Sequence, residues 1–299
     1  MLSGILNVYK ESGYTSNDVV AKLRGILHQK KIGHAGTLDP AATGVLPVLL
    51  GSATRLSDLV MEHEKTYRAV LLLGVTTDTQ DMTGSVLSVS DAIPEENMVR
   101  ETVRSFIGGY DQLPPMYSAK KVGGKKLYDL AREGKTVPRQ TAPVVIHDIR
   151  IEKMDLPEVT FSVDCSKGTY IRTLCHDIGQ KLGCGGAMKE LTRTRAGQFF
   201  LEDALTLDQI QELAGQGRVS KKTVPVEALF SDCPRILVSS IPAEKKLLNG
   251  NPLTLKELCL APECAGDRIR LCTGDGKFAA VYRYEPEKSR YLPWKMFLQ

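Results

Sequence analysis

The sequence predicts an α+β protein: a mixed, mainly antiparallel β-sheet decorated with helices, followed by a small β-rich C-terminal domain. Three observations predict it. Apolar runs of strand length recur between residues 5 and 165, helical apolar spacing interrupts or follows them at Val19–Leu27, Val99–Ile107 and Ile171–Leu182, and beyond Cys233-Pro234 only short β-like runs remain. The 299 residues have ample length to bury a core, and divide on this reading into domains at 1–232 and 233–299, with an insertion at about 110–140.

Each element follows from its residues. Ile5–Tyr9 is a first strand. Thr15-Ser16-Asn17-Asp18 opens a helix with Asp18 at capping-box distance from Thr15, and Val19, Val20, Leu23, Ile26 and Leu27 form its apolar face. Val45–Gly51 is a buried strand. Thr66–Val75 alternates, putting Tyr67, Ala69, Leu71 and Leu73 on one face, and Thr77–Gly84 is a polar loop. Val99, Val103, Phe106 and Ile107 mark a second helix, and Val144–Ile151 and Val159–Cys165 two further strands. Lys167–Arg172 then turns into a helix with Ile171, Leu174, Cys175, Ile178 and Leu182 inward, and Tyr170 and Arg172 at its first turn. In the tail, Asp275-Gly276 between two β-like runs is a strong hairpin signal.

The segment with most chemical content is Gly33–Gly44, GHAGTLDPAATG, in which three glycines permit backbone conformations other residues avoid. Pro40 pushes Asp39 out of the helical region, so the single carboxylate is presented at a fixed angle on extended or turn backbone. Before the loop, Ala21–Lys31 carries four Lys or Arg and no acid. A basic stretch, a glycine loop with one acid and a core strand suggest a polyanion lying over one carboxylate.

The net charge is +4, but its distribution says more. Pro114–Arg139 holds seven Lys or Arg against two acids, whereas Ala69–Leu113 holds two Arg against seven acids, a segregation that fits nucleic-acid binding or simply a solvated charged face. Leu113–Gly124 is opened by prolines, closed by glycines, and carries cations for phosphate, while Tyr117 and Tyr128 could stack on a sugar or base. The seven cysteines form no C-x-x-C pair and read as reduced thiols, with no zinc expected of Cys259, Cys264 and Cys272. There is no apolar run of membrane-spanning length, no signal-peptide pattern, and no Walker, dinucleotide or H-E-x-x-H motif. The expectation is a cytoplasmic protein without cofactor or metal.

The string GHAGTLDPAATGVLPVLLGSAT closely resembles the signature of the TruB family of tRNA pseudouridine synthases, whose G-x-L-D-P aspartate is catalytic. Ala35 and Ala41 depart from it, where threonine and a larger residue such as leucine are expected, and neither touches the carboxylate. The PPMYSAKKVGGKKLYDLAREG stretch resembles a thumb-like RNA-clamping element of the same family, and the tail's order of elements resembles, more loosely, a PUA-type RNA-binding domain. The resemblance implies the pseudouridine synthase fold and isomerisation of the uridine at tRNA position 55 in the TψC loop, by base flipping and a catalytic aspartate, without cofactor, by a monomer that needs no protein partner. It implies Asp39, Tyr67 and Arg172 as catalytic residues, with His34, Tyr67, Tyr170 and Leu191 binding the substrate. Lys120, Lys121, Lys125, Lys126 and Arg132 are the expected RNA-binding cations. On spacing alone Tyr67 reads as a core aromatic, Arg172 as a surface cation and His34 as a solvated loop residue. Two alternatives stand beside the tRNA enzyme: an isomerase directed by guide RNA, and a non-catalytic tRNA-folding factor.

Overall fold

A computed structural model describes residues 2–118, 120–135, 137–261 and 266–297. The chain forms two compact units, one of residues 6–49 and 54–221, the other from residue 222 onward together with the segments through Ile5 and Leu50–Ala53.

The first unit is built on one sheet. Its elements in order are β1 (Gly4–Lys10), α1 (Ser16–Ile26), β2 (Ile32–His34), β3 (Thr43–Leu50), α2 (Ser57–Met61), β4 (Lys65–Leu73), β5 (Val75–Thr77), β6 (Val86–Val89), α3 (Glu96–Arg104) and β7 (Gly108–Gln112). Then follow β8 (Lys121–Val122), β9 (Lys125–Lys126), α4 (Leu127–Arg132), β10 (Ala142–Asp155), β11 (Glu158–Cys165), α5 (Ile171–Leu182), β12 (Gly186–Ala196), β13 (Phe199–Phe200) and α6 (Leu207–Gly215). The sheet runs β1-β3-β12-β4-β11-β10-β7, with β2 beside β3 and β13 beside β12. The pairs from β12 through β4, β11 and β10 to β7 are antiparallel, while β12 and β3 run parallel. Tyr67, Ala69, Leu71 and Leu73 of β4 pack with Phe161 and Val163 of β11 and with Ile171, Leu174, Cys175 and Ile178 of α5. The period-two face of a strand thus meets the period-3.6 face of a helix.

Thr15 caps α1 with the expected capping box, its hydroxyl accepting from the Asp18 amide while Asp18 accepts from the Thr15 amide. Elsewhere the structure corrects the sequence. The strand expected over Thr66–Val75 breaks at Gly74, which takes φ +83° and starts the separate β5. The second helix ends at Arg104 and leaves out Phe106 and Ile107, whose amides close short turns onto Val103 and Arg104 before Gly108 takes φ +114°. Of the three glycines in Gly33–Gly44, only Gly36 and Gly44 have positive φ; Gly33 is ordinary strand in β2. Tyr170 is the N-cap of α5 rather than part of its first turn.

The second unit holds β14 (Thr223–Val224), β15 (Arg235–Leu237), α7 (Ile241–Leu248), β16 (Leu253–Thr254), β17 (Arg268–Cys272), β18 (Phe278–Glu285) and β19 (Arg290–Met296). Five of these strands form a sheet in the order β15-β17-β18-β19-β16 over a core that includes Leu247, Ile269, Leu271, Tyr282 and Tyr291. The Asp275-Gly276 turn joins β17 to β18 as the dipeptide predicts, with Gly276 at φ +85°. Cys259 is exposed, the other described cysteines are buried, and Cys264 lies outside the described residues. Among the described residues no helix is long and apolar enough to cross a membrane.

Candidate active site

The carboxylate of Asp39 is fixed by its neighbours on both sides. Leu38 is buried in the main core, and its backbone is held from α1, the Leu38 amide donating to Ser16 Oγ at 3.0 Å. On the other side Lys10, at the end of β1 and fully buried, donates from Nζ to the carbonyls of Glu11, Pro40 and Ala42 at 2.9, 3.0 and 2.7 Å. The Gly13 amide also donates to Pro40 O, and the Ala42 amide closes a turn onto Asp39 O. A buried ammonium requires this degree of satisfaction, because each unmet N–H would add to an already high desolvation cost. Burial pulls the Lys10 pKa down to about 8, against the attraction of Asp39.

Beneath the loop lies Arg193 of β12, only 1% exposed. Its Nε donates to Val45 O at 2.7 Å, and its Nη groups reach Gly36 O and Thr37 O at 3.4 and 3.5 Å. Gly44 makes this possible. It pairs with Arg193 across the β3–β12 register at φ +103°, and a Cβ there would sit 2.2 Å from Arg193 O. Only glycine allows so close an approach of two backbones in that conformation.

Arg172 completes the arrangement. It lies in the first turn of α5 with a side chain 5% exposed, and its Nε meets Asp39 Oδ2 at 2.9 Å while Nη2 reaches Oδ1 at 3.3 Å. The same guanidinium donates to Thr79 O at 3.1 Å and to Tyr117 O at 2.7 Å, and stands 3.8 Å from Asp81 Oδ2. Asp81 is in turn held by the Thr79 hydroxyl and by the amide of Thr83. Arg172 is therefore no surface cation. It is a buried hub whose planar fork meets two carboxylates and two carbonyls, a role an ammonium cannot fill. The Asp39 side chain keeps 35% of its surface exposed. Burial raises its pKa above the ordinary 3.8, Arg172 opposes the shift, Asp81 adds to it and Lys10 opposes it.

Asp39 opens onto a cleft of about 340 Å³ whose wall includes Ala42, Asp81, Thr83, Leu191 and Thr192, a volume in the range of small-ligand sites. Of the predicted substrate residues, Leu191 lines this cleft. Tyr67 is buried in β4 opposite Arg193, as its core reading expects, and burial keeps its phenol protonated well above the usual range. Tyr170 caps α5, where both Arg172 and Asp39 act on its hydroxyl, and burial raises its pKa too. His34 ends β2 beside Arg193; burial lowers its pKa, and its Nδ1 is a buried atom without a partner. Lys120 and Lys125 are exposed on the 113–139 segment, away from any such packing. The side chains of Lys121, Lys126 and Arg132 lie outside the described residues. That segment forms a β8–β9 hairpin followed by α4, and Arg139 closes its base by donating to Pro114 O at 2.9 Å.

Sequence reasoning missed Lys10, Asp81 and Arg193 as parts of this site. A lysine ending an otherwise apolar strand and an arginine inside an 11-residue strand were available signals; Asp81, in a loop of four Thr or Asp neighbours, had none.

Family models match the chain over two adjoining stretches: "TruB family pseudouridylate synthase (N terminal domain)" over residues 24–171 and "tRNA pseudouridylate synthase B C-terminal domain" over residues 172–231. A protein of Lachnoclostridium phytofermentans called tRNA pseudouridine synthase B is 47% identical, with 99% of this chain and 100% of that one aligned. The Staphylococcus aureus (strain MW2) protein of the same name is 45% identical with the same coverage. Among solved structures, "Structure of H/ACA RNP bound to a substrate RNA containing 2'-deoxyuridine" contains a chain similar at a TM-score of 0.71 and 25% identity, covering 99% of this chain and 85% of that one. An isomerase of the pseudouridine synthase class is what fold and relatives together define. The chain belongs to the TruB family of pseudouridylate synthases.

Proposed function

We propose that this protein converts the uridine at position 55 of the TψC loop of tRNA to pseudouridine, with Asp39 as the catalytic carboxylate and no cofactor. The observation that carries the reading is the two-point grip of Arg172 on Asp39 at 2.9 and 3.3 Å, at the edge of a cleft of nucleoside scale. The reaction breaks the bond from the sugar carbon to N1, turns the base, and joins the same carbon to C5; the C5 proton is lost and N1 gains one. Atoms and electrons balance without oxidant, energy source or water.

Asp39 can serve by attacking the sugar, by attacking the base, or by removing a sugar proton, and every one of these routes needs it ionised. Burial works against ionisation, and the Arg172 guanidinium counters it. The target must leave its stack to reach the carboxylate, at a cost offset by new contacts in the pocket. Leu191 on the cleft wall would supply part of them; Tyr67 and Tyr170, which do not line the cleft, are carried into this role by the family resemblance, as is His34 toward the neighbouring nucleotides. Lys120, Lys121, Lys125, Lys126 and Arg132 would hold the phosphate backbone. The tail from residue 233 would act as a PUA-like RNA-binding domain, and residues 1–232 as the catalytic one.

The test is incubation of unmodified tRNA transcript with wild-type protein and with Asp39→Asn, without cofactor, followed by base-specific mapping of pseudouridine. The expected result is product at one T-arm uridine with wild type alone. A guide-dependent reading draws on the likeness to the H/ACA particle component; activity on bare transcript rules it out. Tight tRNA binding with no product at all would instead favour a folding factor.

A further inference from the structure

We infer that Gln112, which the reaction chemistry does not involve, is a positioning residue for the active site, clamping the backbone from which Tyr170 and Arg172 project. The inference rests on the reading of Tyr170, Arg172 and Asp39 given above.

Gln112 is the last residue of β7 and is 1% exposed. Its amide grips the Tyr170 main chain at both polar atoms. Oε1 accepts from the Tyr170 amide at 2.7 Å, and Nε2 donates to the Tyr170 carbonyl at 3.0 Å. Nε2 also donates to the Tyr110 hydroxyl at 2.6 Å, so the amide orientation is set from a third point. Tyr170 has no side-chain cap of its own on α5, so this borrowed amide takes up a helix-end N–H that would otherwise be orphaned. The Tyr170 carbonyl it also holds accepts the Leu174 amide at 3.1 Å, at the start of the helix.

Two residues further on is Arg172, whose grip on Asp39 depends on where that first turn begins. Gln112 is also the residue from which the 113–139 segment departs, and Arg172 binds that segment through Tyr117 O at 2.7 Å. The root of the 113–139 segment and the guanidinium partner of Asp39 are thus fixed to one another at two points, through the Gln112 amide and through Tyr117 O. The match is one of chemistry as well as length: a Glu of equal length accepts from the amide but repels the carbonyl, and an apolar residue leaves both groups unmet in the interior.

The test measures single-turnover rates on saturating T-arm tRNA across pH for wild type, Gln112→Met and Tyr110→Phe, with tRNA binding measured separately. Gln112→Met keeps length and volume; the expected result is a rate at least about 10-fold lower, near-unchanged tRNA affinity, and an acid limb moved to higher pH. That limb reports Asp39, which faces Arg172, Asp81 and Lys10, and a merely structural loss would not move it. Tyr110→Phe deletes one hydroxyl and removes the third point of the clamp; a smaller rate loss with the same shift is expected. If Gln112→Met does not fold, this second variant decides. A wild-type rate and limb in either folded variant, or lost tRNA binding with rate retained, overturns the inference. An inactive wild type on the same tRNA would instead contradict the proposed function.

Discussion

Two sets of cations among the described residues differ in what surrounds them. Around Asp39, Lys10, Arg172 and Arg193 are buried and donate to backbone carbonyls and, from Arg172, to the Asp39 carboxylate. On the 113–139 segment, Lys120 and Lys125 are exposed. Buried cations cost desolvation and are kept only where fixed acceptors meet them, so they hold one geometry; exposed ones keep their hydration and stay free to meet phosphates. Under the proposed function the first set shapes the reacting carboxylate and the second gathers the tRNA, and substitutions should separate the two effects cleanly.

The largest effect on stability is expected at Gly44, where the buried set is built. Gly44→Ala puts a methyl 2.2 Å from Arg193 O at φ +103°, and should destabilise the first unit by about 3 kcal/mol or more, read by thermal or urea unfolding. A loss below about 1 kcal/mol would mean β3 and β12 can part without harm. Next is Asp39→Asn, which should lower the single-turnover rate by about 1,000-fold or more while tRNA affinity stays near wild type.

Lys10 gives a pH signature of intermediate size. Its folded pKa is about 8 against 10.5 in the unfolded chain, so between those values the folded state binds fewer protons and this group's contribution to stability rises with pH. Activity runs the other way. Neutral Lys10 has two donors for three carbonyls and no charge for Asp39, so the rate should fall above pH about 8 with no matching loss of melting temperature. A rate and melting temperature that fall together there would break the account of Lys10. Buried Lys65, also drawn down to about 8, adds to the stability trend with the same sign. The smallest effect belongs to the exposed set: Lys125→Ala should leave the maximal rate unchanged and reduce the salt slope of tRNA binding by about one phosphate contact.

Much of this was legible in the sequence because it rests on local rules. Gly36, Gly44 and Asp39-Pro40 mark the loop through backbone restrictions, Thr15 and Asp18 mark the start of α1, and Asp275-Gly276 marks the hairpin. Arg172 was visible only through family resemblance, since its spacing on α5 is equally that of a surface cation; its burial depends on Asp39, Thr79 and Tyr117, which come from three other segments. Gln112 was invisible for the same reason. The Tyr170 backbone it holds lies 58 residues away, and no periodicity encodes a side-chain amide meeting a distant main chain. Asp81 became meaningful only once its loop was seen beside Arg172.

The central claim is that a single buried guanidinium holds Asp39 ready to react. It is tested most directly by the acid limb of the single-turnover rate in wild type and Arg172→Lys on the same tRNA. Burial already lifts the Asp39 pKa above 3.8, so the wild-type rate should fall, as pH drops, at a higher pH than an ordinary carboxylate would give. Lysine cannot span both carboxylate oxygens, so the limb should move further up and the rate at neutral pH fall by about 100-fold. An unmoved limb with an unchanged neutral rate would contradict the account.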